Sequence, residues 1–457
     1  MLLVACIAAG AAQAQAPSAR CAGPPSAPVV AGRAAEREPT VQDYERLLQR
    51  APRSARDHYD HGVLHERMGQ YTSAILDYTQ AIAIDPCLAQ AHERRGAAYA
   101  NLGQLEPALK DLDEAIRIDP NASSAHVNRG AAYEAMGQNQ RALADYSQAI
   151  ALDPQSPSAH LRRGGSFELT GKLDSAIQEY DLAIRLNPGE AQAYFFRGRT
   201  LIRQRQFERA LIDLDQALRL NPRDAKAHQS RAAVFAAIGD HARSIADYSA
   251  AIRLDAQYAL AYQGRGDAYA RVGQSEAALQ DYGSAIRLNP QSAYAYYSRG
   301  LVLAGRNDHQ RAVEDLNQAL ERKPDFALAF RHRGMSRQKL GQLDRAVADF
   351  DAAIRLDARD TVALNELAWL LATSAEPQWR DGRRAVELAR TACNISGWKV
   401  PDLFDTYAAA LAEAGQFEDA VKWQEAALES PEFERAHGTG ARARLQLYRE
   451  GKPFRAP

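Results

Sequence analysis

Between residues 55 and 360 the apolar side chains recur three or four positions apart, the period of an amphipathic helix. The stretch 94–120, RRGAAYANLGQLEPALKDLDEAIRIDP, shows the arrangement in miniature. Two apolar stripes flank a Gly-Gln turn, and an Asp-Pro pair closes the second. Glycine tolerates the left-handed backbone that ends the first helix. The residue before proline is pushed out of the helical region, which ends the second. The pattern predicts a helical hairpin, helix A followed by helix B.

The hairpin recurs. Counting from Ala55, nine units of 34 residues follow without a gap, starting at 55, 89, 123, 157, 191, 225, 259, 293 and 327. Position eight is glycine throughout except for Ala232, position twenty is alanine except for Ser244, and position twenty-seven is always alanine. Such small side chains let two helices approach at the short end of the roughly 8–10 Å interaxial range. Position fifteen is the helix-ending glycine, with Arg205 and Asn307 as departures, and position thirty-two is proline except at Ala256 and Ala358. An aromatic residue or leucine fills the space between the helices at position twenty-four, and also at position eleven except at His65 and Arg337.

Repeat length, small residues, aromatics and proline all fall in phase with the tetratricopeptide repeat family, which residues 55–360 resemble. The resemblance implies an all-α fold, a right-handed α-solenoid superhelix of tandem hairpins, of the multi-repeat type that bacteria export. A half-unit at 40–54, with Tyr44 and Pro52 in phase, predicts an N-terminal capping helix. Beyond 360 the pattern loosens into two degenerate hairpins over 361–432, the first with about five extra residues around Ser374–Asp381. All four tryptophans fall there, as expected of a terminal repeat that must cover an open apolar face. A basic C-terminal helix and tail are expected over 433–457.

Position seven, leucine in the family, is arginine from Arg95 to Arg333, and position twenty-three is acidic from Asp77 to Asp349. Helix B and the next helix A run antiparallel, so positions facing each other should sum to about thirty. That sum predicts a ladder between neighbouring units: Arg95 with Asp77, Arg129 with Asp111, Arg163 with Asp145 and Arg197 with Glu179. Asp43 would meet His61, and the ladder would stop where Asp349 faces Leu367. The ladder is read as stacking chemistry.

Position four holds His58, His92, His126, His160 and His228. These recur one repeat apart, roughly 10 Å, too far to share a zinc ion that holds nitrogens at about 2.0–2.1 Å. They are read as packing residues. No phosphate-binding loop, nucleophile elbow or H-E-x-x-H motif is present. The sequence therefore calls for no enzyme activity, metal or cofactor.

The N-terminus changes the expected compartment. Residues 2–12 are apolar and Ala12-Gln13-Ala14 fits a signal-peptidase site, so residues 1–14 are expected to be removed. Leu3-Val4-Ala5-Cys6 also resembles a lipobox, which makes peripheral association with the outer membrane the alternative to a periplasmic or secreted protein. Residues 15–39 are rich in Pro and Ala without apolar period and are expected to form a disordered linker. Cys21, Cys87 and Cys393 are too scattered for a disulfide framework, and the last two are expected to be inert.

With 56 basic against 57 acidic residues, no global field favours nucleic acid or an anionic membrane. The leading class is a non-catalytic scaffold that binds an extended peptide or partner protein in a groove, with cell-envelope assembly as an analogy. A nucleic-acid-binding helical array or a regulatory subunit of an enzyme complex is the alternative. The family's inner face corresponds to helix A positions two, five, nine, twelve and thirteen. Those positions are net acidic in repeats one to four and net basic in repeats five to nine. An acidic segment is therefore expected on Phe195, Arg199, Arg203, Lys226, Arg271, Tyr294, Tyr297, Arg331 and Lys339.

Overall fold

The computed structural model describes residues 48, 49 and 51–456. The expected signal segment and linker lie outside the described residues, as do Asp43 and Tyr44 of the capping helix. The chain divides into two compact units, Met1–Arg223 and Asp224–Pro457. Among the described residues every regular element is a helix.

The first unit carries repeats one to five, from Ala55–Arg67 paired with Tyr71–Ile84 to Ala191–Arg203 paired with Phe207–Leu220. The second carries repeats six to nine, from Ala225–Ala237 paired with His241–Leu254 to Ala327–Lys339 paired with Leu343–Leu356. It continues with Thr361–Thr373, Gly382–Ile395, Pro401–Glu413, Phe417–Leu428 and a last helix, Pro431–Arg449. That helix starts two residues before the expected 433, because Ser430 caps it and Pro431 opens it. The extra residues of repeat ten form a short 3-10 turn, Pro377–Trp379.

Each helix ends where its sequence says it should. Position fifteen is left-handed at Gly69 (φ 72°), and Arg205 and Asn307 adopt the same backbone at 60° and 63°. At the end of helix B position thirty-one, Asp or Asn in eight repeats, accepts the amide two residues on, as Asp85 does from Cys87 at 3.0 Å. Asp255 and Asp357 make the same turn at 2.9 Å although Ala256 and Ala358 follow them. The carboxylate turn stops the helix, which explains why proline is dispensable there.

The hairpin core is the ring at position twenty-four, fully buried at Tyr78, Tyr146, Tyr180, Tyr282 and Phe350. A Cβ on Gly62 would lie 2.4 Å from Tyr78, so glycine at position eight is a steric requirement. Repeat six has Ala232 there instead, and its Tyr248 leans toward the next unit. A Cβ on Gly264 would meet that ring at 2.3 Å, so the space is recovered at position six of repeat seven.

The arginine pairs differ from the expected ladder. Arg95 pairs with Asp111 of its own hairpin, not with Asp77, through Nε at 2.6 Å and Nη2 at 2.7 Å. Arg129 takes Asp145, Arg163 takes Glu179 and Arg197 takes Asp213, in place of Asp111, Asp145 and Glu179. The same register continues through Arg265 with Asp281, Arg299 with Asp315 and Arg333 with Asp349. The sum of thirty holds for helices A and B of one hairpin as well, and the glycine at position eight makes that the closer seam. The second seam is reached by Nη1, which bonds position twenty-five of the preceding helix B: Thr79 from Arg95, Asp113 from Arg129 and Asp181 from Arg197. Arg95, Arg129 and Arg197 therefore each clip three helices.

Other polar departures serve the same carboxylate. His126 and His160 place Nδ1 3.3 and 2.8 Å from Asp145 and Glu179, so the histidines are hydrogen-bonded as well as packed. Where position four is aromatic, it stacks on the arginine instead, as Tyr194 does with Arg197 at 5.7 Å. Both exceptions at position eleven turn to the acid too, His65 to Asp77 at 3.5 Å and Arg337 to Asp349 at 2.8 Å. Cys393 is buried and free, and burial pushes its thiol up to about 12.

Candidate interaction face on the A helices

Positions two, five, nine, twelve and thirteen share one side of each helix A, but their charges are used differently in the two units. In the first, Arg199 bonds the Glu168 carboxylate at 2.9 Å, and Arg203 reaches the same group at 3.4 Å and its backbone carbonyl at 3.0 Å. Glu168 also accepts the Tyr180 hydroxyl at 3.3 Å. Burial and that carboxylate raise the Tyr180 phenol above its ordinary value. Phe195 is buried against Phe196, and the Arg199 guanidinium lies over both rings. Both cations thus share a single carboxylate.

In the second unit Arg331 is paired as well. Its Nη1 meets both oxygens of Asp360 at 2.9 and 3.0 Å, while Asp360 caps the helix that follows by accepting from Val362 and Ala363. Lys226, Arg271 and Lys339 are exposed and make no ion pair among the described residues. Lys339 lies near Glu366, whose carboxyl is pushed up by burial despite that lysine.

Between these cations stands an aromatic shelf. Tyr294 is 51% exposed, and its ring lies 5.0 Å from Phe326, which in turn lies 4.7 Å from Tyr297. Lys323 donates to the Tyr294 hydroxyl at 3.1 Å and sits over the Tyr294 and Phe326 rings. The shelf ends on His332, edge-on to Tyr297 and hydrogen-bonded to Arg331 at 3.3 Å. Burial and Arg331 push this imidazole down to about 4.

Of the residues the sequence singles out, the structure thus brings together Tyr294 and Tyr297 and leaves Lys226, Arg271 and Lys339 exposed, with Asp267 near Arg271 and Glu366 near Lys339. Sequence reasoning missed Phe326 and Lys323. The available signal was Lys323 itself, the one basic residue in a run of Asp and Asn before position thirty-two. Among the described residues no group of three or more His, Cys, Asp and Glu could hold a metal ion. No described helix is long and apolar enough to cross a membrane.

Tetratricopeptide repeat profiles match residues 127–191 and 197–259, and again 293–326 and 332–360. A TPR repeat profile matches 67–103, 98–137 and 266–306. No curated protein matches the chain. Solved structures similar to it include YrrB, a TPR protein with an unusual peptide-binding site, at 21% identity over 40% of this chain and 95% of that one (TM-score 0.35). A tetratricopeptide repeat protein from Parabacteroides merdae is 20% identical over 54% of this chain and 98% of its own (TM-score 0.43). The APC/C complex Cut9–Hcn1 matches at 17% identity over 78% of this chain and 76% of that one (TM-score 0.47). The phased hairpins, the small residues at their seams and profile matches across more than half of the sequence show that this chain belongs to the tetratricopeptide repeat family.

Proposed function

We propose that the protein is a non-catalytic scaffold outside the cytoplasm, and that repeats six to nine hold an extended, acidic segment of a partner protein. The observation that carries the reading is the set of exposed cations, Lys226, Arg271 and Lys339, on the helix side that also carries the exposed ring of Tyr294. Ala233, Ala236, Ala237, Ala270 and Ala304 occupy the same helix side, and their small side chains let a peptide backbone come close. Aromatic and cationic side chains of this kind supply most binding energy in many interfaces. Arg199 and Arg203 share the single Glu168 carboxylate and Arg331 is held by Asp360, so the reading rests on the cations outside these pairs. The apolar N-terminal run supports export.

The test is photocrosslinking from position 237 or 270 in cells, with and without Lys226→Glu, Arg271→Glu and Lys339→Glu. Capture should fall at least tenfold in the triple variant and should weaken as salt rises. Unchanged capture with an intact helical spectrum would remove this face from the function.

A further inference from the structure

Beyond the last helix the chain does not run into solvent. Gly451 turns it back at φ 68°, and Pro453–Ala456 lies extended and partly buried on the A helices of repeats ten and eleven. The Ala456 amide donates to the Thr373 carbonyl at 2.7 Å, and Arg455 Nη1 donates to the Ala372 carbonyl at 3.4 Å. Carbonyls in the last turn of a helix have no partner within it, so the bond from the Ala456 amide holds a backbone whatever its sequence. Two side chains add selectivity. Phe454 lies 6.0 Å from Trp369, and the Arg444 guanidinium sits 5.3 Å from the Trp369 ring and 5.5 Å from the Phe454 ring. Arg455 pairs with Glu413 at 2.5 Å.

The walls of this groove are held independently of the segment that fills it. Asp405 fixes Arg444 through Nε at 3.0 Å and Nη2 at 2.8 Å, and Gln424 fixes Asp405 at 2.7 Å. The other Glu413 oxygen is 3.3 Å from Arg380, which the extra loop of repeat ten supplies. Trp369, Ala372 and Thr373 are positions nine, twelve and thirteen of their helix, the same side that repeats six to nine leave open. Past Ala456 the groove continues as a cavity of about 310 Å³ lined by Gln338, Leu343, Trp369, Thr373 and Glu376.

We propose that this groove is a docking site for an extended partner segment carrying an aromatic residue followed by arginine, and that Pro453–Ala456 is its resident occupant, displaced when the partner binds. The proposal rests on the scaffold reading above but assigns a second face, with chemistry opposite to the acidic segment expected on repeats six to nine. The carboxylate of Glu413 and the paired rings choose the ligand. A segment joined to the groove by so short a turn competes at an effective concentration in the millimolar range. The wild-type site is therefore largely closed to free peptide.

The test uses the full chain and a fluorescein-labelled peptide, Gly-Lys-Pro-Phe-Arg-Ala-Pro, followed by anisotropy. Phe454→Ala with Arg455→Ala should bind it at least tenfold more tightly than wild type does. A peptide with alanine in place of its Phe and Arg should not bind. A folded double variant that binds no better than wild type would overturn the proposal and leave the segment as a cap. Arg455→Glu alone is the second variant, and unfolding of both would also overturn it, because a segment required for folding is not exchangeable. Loss of capture on repeats six to nine leaves this measurement untouched, so the two readings fail separately.

Discussion

In repeats two to nine, position seven lies over position twenty-three as arginine over Asp or Glu; in the next two hairpins the same pair is Leu367 over Leu388 and Tyr407 over Trp423. The exchange changes what holds the hairpins together. The buried apolar cluster around Tyr78 has five members and that around Tyr248 has four. With the clip gone, buried residues from Ala346 to Tyr448 merge into one cluster of twenty-two. Trp398, Trp423, Phe404 and Tyr407 pack against each other where a carboxylate would otherwise stand, with the two indoles 4.5 Å apart. The position-seven arginines bond hairpin by hairpin in the repeats, whereas the terminal hairpins join one continuous apolar cluster to the Asp405–Arg444 and Glu413–Arg380 pairs.

The severest way to break that contrast is to force a clip into the apolar block. Leu367→Arg places a guanidinium opposite Leu388 at a site with no solvent exposure, and the loss should exceed about 4 kcal/mol. Adding Leu388→Asp should recover part of it by rebuilding the fork. Urea unfolding followed by tryptophan emission reads this region directly, since all four tryptophans lie between Trp369 and Trp423. If the double variant is no more stable than the single, the two positions do not face each other as described.

The converse experiment turns a clip into an apolar pair. In Arg129–Asp145 the side chains are 21% and 8% exposed. Arg129→Ala strands a buried carboxylate and should cost about 3 kcal/mol, whereas Arg129→Leu with Asp145→Leu should be close to neutral. A double variant as damaged as the single would mean that the repeats need the fork itself and not merely a filled seam.

These pairs also show what could be read beforehand and what could not. The hairpins, their turns and the identity of the clip residues were legible, because each depends on a residue type at a fixed phase. Partner choice was not. Positions summing to thirty face each other across both seams, and only the closeness of Gly96 to Asp111 and Leu112 decides for the same hairpin. The face on repeats six to nine was legible as a side of a helix. Its charge partners were not, because Glu168 and Asp360 come from neighbouring repeats to pair with Arg199, Arg203 and Arg331. The groove filled by Phe454 was hidden further, since no periodicity marks a segment that returns to Trp369 from 85 residues away.

Acid should separate the regions more gently. Burial opposes ionisation of Asp111, Asp145 and Asp247, but hydrogen bonds from arginine and histidine outweigh it and hold each carboxyl below its usual value. A carboxyl depressed on folding stabilises the protein above its unfolded pKa, about 3.9, and loses that contribution as pH falls through the folded value. His332, pushed down to about 4, acts in the same direction earlier, since its neutral form contributes fully only above about pH 6.5. Melting temperature should therefore decline below about pH 6.5 and fall steeply below about 4. Helix loss by circular dichroism should precede any change in tryptophan emission. Coincident acid transitions would mean that the clips contribute no pH-dependent stability of their own.

The smallest effect concerns the outer leg of the clip. Arg129 Nη1 reaches Asp113 of the preceding helix at 2.7 Å, but the Asp113 side chain is 58% exposed. Exposed pairs contribute little, so Asp113→Ala should cost no more than about 0.5 kcal/mol and leave the Arg129–Asp145 fork in place. The same position is Thr79 before Arg95, Ser147 before Arg163, and Gly283 before Arg299, where no side chain is available. That tolerance for threonine, serine or nothing is what a weak, solvent-facing bond allows. Urea titration of Asp113→Ala beside Arg129→Ala measures the two legs in one clip. A loss for Asp113→Ala that approached the Arg129→Ala value would show that the bond to the preceding helix, and not the fork, sets the register between repeats.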